Sequence, residues 1–182
     1  MKSKDEKSAM EVGVVIIYDK VVVGKRAKEL CDRLQSRLGP EYELNLSVWN
    51  MARLQNPALA RLAAEAATHV DLLVVAMDGD ESPPPFVRSW VSRVAHHARV
   101  ADGAIVAQLN SILRMEHEFA PAYVELKRIA HEAGMSFFSQ VVERTGYDLD
   151  DCINEIHKHA NMRMTVMDAI FSVAPIVSSK SP

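Results

Sequence analysis

Short apolar runs alternate with longer stretches whose apolar residues recur every three or four positions, and from Val12 onward the alternation passes through five cycles. The first run, Val12-Gly-Val-Val-Ile-Ile-Tyr18, is apolar throughout and rich in β-branched residues, which predicts a strand covered on both faces. Behind it, Ala27, Leu30, Cys31, Leu34 and Leu38 fall at helical spacing, and Gly39-Pro40 stops the helix. Tyr42, Leu44, Leu46 and Val48 then alternate with Glu43, Asn45 and Ser47, a period of two that places the second strand at a sheet edge. Asn56-Pro57 supplies an N-cap and first residue to a helix with the apolar face Leu59, Leu62, Ala63, Ala66, Ala67 and Val70.

The second half repeats the scheme. Asp71-Leu-Leu-Val-Val-Ala-Met77 is a fully apolar third strand behind its aspartate. After the polar segment Asp78 to Ser82 and three prolines, Val87, Trp90, Val91, Val94 and Ala98 line a helix. Gly103 to Leu109 is the fourth strand; the helix after it carries Leu126, Ile129, Ala130 and Ala133 and ends at Gly134. Met135 to Val142 is a half-polar fifth strand, and a long closing helix is expected from Leu149 through Cys152, Ile156, Met164 and Met167 to Phe171, with Asp148 as N-cap.

Strands that alternate with helices are joined by right-handed crossovers into a parallel sheet. The expected fold is therefore α/β: a three-layer, doubly wound, five-stranded parallel sheet of order 2-1-3-4-5 with a long C-terminal helix. Residues 11–173 form one domain in this reading, between a flexible start at 1–10 and a flexible tail at 174–182.

Composition narrows the partners. The 182 residues carry 21 basic and 24 acidic side chains, a net charge of −3, which leaves no electrostatic footprint for nucleic acid or an anionic membrane. No apolar run reaches membrane-spanning length, and Met1 to Lys7 lacks the apolar core of a signal peptide. Cys31 and Cys152 stand far apart, as reduced thiols do, so a cytoplasmic setting is expected.

In such a sheet, ligands bind beyond the carboxyl ends of the strands at the switch between strands 1 and 3. That nominates the loops Asp19 to Gly24, Trp49 to Gln55, Asp78 to Ser82, Asn110 to Glu118 and Val142 to Tyr147. The segment Asp71 to Trp90, with an aspartate opening strand 3, a loop after it and prolines starting the next helix, resembles flavodoxins and NADPH-dependent FMN reductases, as does Gly134-Met135 before strand 5. The resemblance implies a flavodoxin-like fold and FMN as cofactor. The crevice residues it points to are Lys20, Gly24, Lys25, Arg26, Trp49, Asp78, Gly79, Asn110 and Ser111.

The flavodoxin phosphate loop is rich in glycine and hydroxyls, whereas Asp19-Lys-Val-Val-Val-Gly-Lys-Arg26 has no serine or threonine and starts with an acid. FMN is thus not supported by the strand-1 loop. The chain is also similar in topology to response-regulator receiver domains, but Ala76 stands at the phosphoacceptor position and Gln140 replaces the strand-5 lysine, leaving Asp19 and Ser111 as partial matches. Asp19, Asp78, Asp80, Glu81, Glu116 and Glu118, with His117, gather at the same edge, and Asp19, Asp78 and Asp80 are the candidate ligands for a divalent cation. His96-His97 reads as an exposed helical face; His157 and His159 are two apart and cannot form an i, i+4 pair. The function expected is a non-catalytic regulatory or protein-interaction domain, self-associating through the last helix. The alternative is an FMN-dependent NAD(P)H oxidoreductase in which Lys25 and Arg26 replace the hydroxyls.

Overall fold

The computed structural model describes residues 9–97, 103–111 and 120–143. Five parallel strands, β1 (Met10–Tyr18), β2 (Tyr42–Asn50), β3 (Leu72–Asp78), β4 (Ala104–Ser111) and β5 (Ser136–Glu143), pair in the order β2-β1-β3-β4-β5. Four helices connect them: α1 (Val21–Leu38), α2 (Pro57–Ala66), α3 (Pro85–His97) and α4 (Pro121–Glu132). The expected closing helix, with Cys152, His157, His159 and its methionines, lies outside the described residues, as do Ala98, Glu116, His117 and Glu118.

The apolar strands are apolar because each serves two cores. Leu73, Val75 and Met77 of β3 join Val15 and Ile17 of β1 against α3 and α4, while Leu72, Val74 and Ala76 join Val12, Val14 and Ile16 against α1. β2 has a neighbour on one side only, and its side chains alternate between half-buried and exposed from Tyr42 to Leu46; beyond that the expected alternation fails, with Ser47 half-buried, Val48 exposed and Trp49 and Asn50 half-buried.

Helix boundaries follow local chemistry. The Asn56 side chain accepts from Ala58 N at 3.0 Å and Leu59 N at 3.4 Å, with Pro57 opening α2. Gly39 and Gly134 close α1 and α4 at φ of 80° and 71°, where a side chain is strained. The face of α2 differs from expectation. Ala63, Ala67 and Val70 are buried with Ala60 and Ala64 beside them, and Leu62 faces outward. Buried Trp90 explains this, since its indole N–H donates to Ala60 O at 2.9 Å and only small residues let α2 come that close.

At the amino end of the sheet, Asp71 extends the β1–β3 ladder. Its carboxylate accepts from Gly13 N at 2.8 Å and its own N–H donates to Gly13 O at 2.9 Å. Burial pushes the Asp71 carboxyl above its ordinary value, against the pull of the Gly13 N–H and His69. The folded protein thus holds the Asp71 proton to higher pH than the unfolded chain. The group therefore lowers stability as pH rises from 3.8 through its folded value. Asp71→Asn keeps an acceptor and removes that fall, so its urea midpoint relative to the parent should climb across this window. A midpoint that drops instead would mean the Gly13 bond outweighs burial. A Cβ on Gly13 would lie 2.4 Å from His69 O, so Gly13→Ala should cost about 1–3 kcal/mol in the same measurement, and an unchanged midpoint would contradict the close approach.

Candidate functional site

Only Asp19 and Lys20 separate β1 from α1, so the expected loop Asp19 to Gly24 is mostly the first turn of a helix. Three consecutive valines open that helix, and Val23 is buried in the core. Val21 and Val22 stay 62% and 61% exposed at that end. Gly24 is buried, and a Cβ on it would meet the Tyr18 ring at 2.7 Å; its role is to seat α1 on the end of β1. Likewise Trp49 to Gln55 is not a loop: β2 runs to Asn50 and a 3₁₀ turn spans Met51–Gln55, with Met51 and Leu54 buried beneath it. Apolar residues at 51 and 54 match the three-residue turn of that helix and pull it onto the core.

Asp19 organises the switch point. Its N–H donates to Ala76 O at 3.1 Å, its C=O accepts from Asn50 Nδ2 at 3.2 Å, and its carboxylate accepts from Lys20 N at 2.5 Å and Asp78 N at 3.1 Å. One side chain thus joins the carboxyl ends of β1 and β3 to the helix start. Asp78 is similarly committed: Oδ1 accepts from Asn110 Nδ2 at 3.1 Å and Oδ2 is ion-paired with Lys20. Asn110 Oδ1 in turn accepts from Arg26 at 3.4 Å, and Gly79 N donates to Asn110 O at 2.9 Å.

No family model matches this chain, and no curated protein matches its sequence. Among solved structures, a short-chain flavodoxin associated with a PDU bacterial microcompartment matches with a TM-score of 0.53 at 11% identity, over 91% of this chain and 100% of that one. The flavodoxin of Streptococcus pneumoniae TIGR4 matches with a TM-score of 0.52 at 14% identity, over 82% and 99%. The fold is flavodoxin-like. Identities this low establish the backbone path alone.

In the flavodoxin-like crevice the structure brings together Asp19, Lys20, Arg26, Asp78, Gly79 and Asn110 of the residues expected there. Lys25 is exposed on α1, Trp49 is half-buried on β2 with its indole N–H on Ser47 Oγ at 2.7 Å, and Ser111 ends β4. A phosphate ester at this fold's helix start needs a loop of converging N–H groups. Here two residues stand in place of a loop, and two of the nearest amides already serve the Asp19 carboxylate.

Beside the network lies a groove of about 500 Å³, with Met51, Met77, Pro84 and Phe86 as its apolar part and Asp19, Lys20, Asp78, Asp80 and Glu81 among its polar residues. Four carboxylates against one lysine give it a field that repels anions. Asp19, Asp78 and Asp80 share this groove, yet among the described residues no group of three acidic, histidine or cysteine side chains is placed to hold a metal ion. Sequence reasoning missed Asn50, which holds Asp19 and caps the 3₁₀ turn through Ala52 N at 2.9 Å. The signal was an Asn directly before a short apolar-spaced segment.

Removing the Asp19 carboxylate takes the acceptor from the part-buried Asp78 amide and from the exposed Lys20 amide. Asp19→Ala should cost about 1–3 kcal/mol by urea denaturation, whereas Glu81→Ala on the exposed rim should stay within about 0.5 kcal/mol. Equal effects would contradict the central place given to Asp19.

Proposed function

We propose that this chain is a non-catalytic flavodoxin-like domain of the cytosol, a regulatory or protein-interaction module in which the protein's own carboxylate stands where the fold elsewhere receives phosphate. The observation that carries this reading is the Asp19 side chain, which takes the Lys20 and Asp78 N–H groups for itself. An internal anion in that position competes with any external one at effectively unlimited local concentration, and it needs no cofactor to hold the strand ends together. Three further features support it. The helix start presents Val21 and Val22 in place of hydroxyls, the groove carries excess negative charge, and the guanidinium of Arg26 is turned to Asn110. Cys31 offers no redox alternative: burial first, and then Asp32, push its thiol up to about 12, so the thiolate required for reaction does not form at neutral pH.

A ligand at one hundred times its Kd adds about 2.7 kcal/mol to folding stability, an effect easily seen in a melting curve. FMN at about 1 mM should leave the melting temperature unchanged, and the purified protein should be colourless. A yellow protein, or a melting temperature that climbs with FMN concentration, would instead favour the FMN-dependent oxidoreductase using Lys25 and Arg26.

A further inference from the structure

Among the described residues, the outer edge of β2 is blocked along half its length and open along the rest. In the parallel pairing with β1, Met10 N donates to Glu41 O at 2.8 Å, so the backbone groups of the odd-numbered residues 41–49 point toward β1 and those of Tyr42, Leu44, Leu46 and Val48 point away from the sheet. The side chain of Gln35 on α1 meets the first two: its Nε2 donates to Tyr42 O at 2.9 Å and its Oε1 accepts from Leu44 N at 2.7 Å. One amide side chain thus makes the two bonds that a sixth strand would make. Beyond it the usual protection stops. Leu44-Asn-Leu-Ser-Val-Trp-Asn50 has no charge, proline or glycine, and Val48 is 47% exposed on the edge. An uncharged, β-branched edge of this kind is a template for strand addition.

We propose that the Leu46–Val48 edge of β2 pairs antiparallel with the same edge of a second copy, about a two-fold axis at Ser47. The occupant follows from the register. With Ser47 facing Ser47 of the partner subunit, Leu46 faces Val48 in both directions, and the outward N–H and C=O groups of these residues form four symmetric bonds. A register displaced toward the amino end runs into the Gln35 clamp, which fixes the pairing by exclusion. In the Ser47 register Asn45 faces Trp49 and Glu43 faces Met51, so no like charges are opposed. An edge contact of four backbone bonds buries little surface, and the dimer is a weak one.

Sedimentation of the full chain up to about 0.5 mM should show a reversible monomer–dimer equilibrium. Val48→Lys sets like charges near one another across the axis, and Val48→Pro removes an outward N–H that serves no bond to β1. Each should raise the dimer Kd at least about tenfold while leaving the circular dichroism spectrum unchanged. Hydrogen exchange of the parent protein covers the case of a variant that fails to fold: the Leu46 and Val48 amides should exchange about tenfold more slowly at 0.5 mM than at about 10 µM. A chain that stays monomeric, a dimer indifferent to both variants, or exchange independent of concentration would overturn the pairing.

Discussion

The seam between β1 and β3 is sewn by an aspartate at each end, and the rest of the molecule hangs on that seam. Asp71 extends the ladder at the amino end by taking the Gly13 N–H, and Asp19 closes the carboxyl end by taking the Lys20 and Asp78 N–H groups. Both strands are covered on two faces, so the Gly13 and Asp78 N–H groups are partly shielded from water where the ladder runs out. A carboxylate is a suitable terminator there, since it accepts two bonds and gains from charge assistance. The cost falls on Asp71, whose half-buried position raises its pKa. Asp19 sits at a helix start, where the dipole favours negative charge.

This arrangement ties the carboxyl ends of β1, β3 and β4 together at the head of the crevice. The connection from β1 to α1 is two residues long, and the Asp19 carboxylate in it turns back onto the Asp78 N–H. The Asp19, Lys20, Asp78, Asn110 and Arg26 side chains form one chain of donors and acceptors across the ends of β1, β3 and β4. What stays open beside them is a groove lined by Met51, Met77 and Phe86 with an acidic rim, whose field repels anions.

Much of this was legible in the chain. The strand order followed from the contrast between the apolar runs Val12 to Tyr18 and Leu72 to Met77 and the alternating run Tyr42 to Val48, because a strand's place in the sheet decides how many of its faces are covered. The acidic crevice and the absence of hydroxyls were equally plain. The start of α1 was not: β-branched Val21, Val22 and Val23 fell in the loop expected from Asp19 to Gly24, whereas the helix begins at Val21 and seats Gly24 on Tyr18. The α2 face was misjudged because Leu62 outranks alanine in hydrophobicity, whereas packing beside Trp90 selects for small volume. The Gln35 clamp is a side-chain-to-edge bond with no periodic signature.

The most direct measurement is nuclear magnetic resonance of the Lys20 and Asp78 amides at neutral pH, in the parent protein and in Asp19→Ala, with and without inorganic phosphate. If the Asp19 carboxylate holds both N–H groups, Asp19→Ala moves both amide protons upfield together, and phosphate leaves both signals of the parent where they are. Amides that ignore Asp19 but shift saturably with phosphate would show an open anion site at the head of α1, and the claim that the protein fills its own crevice would fall.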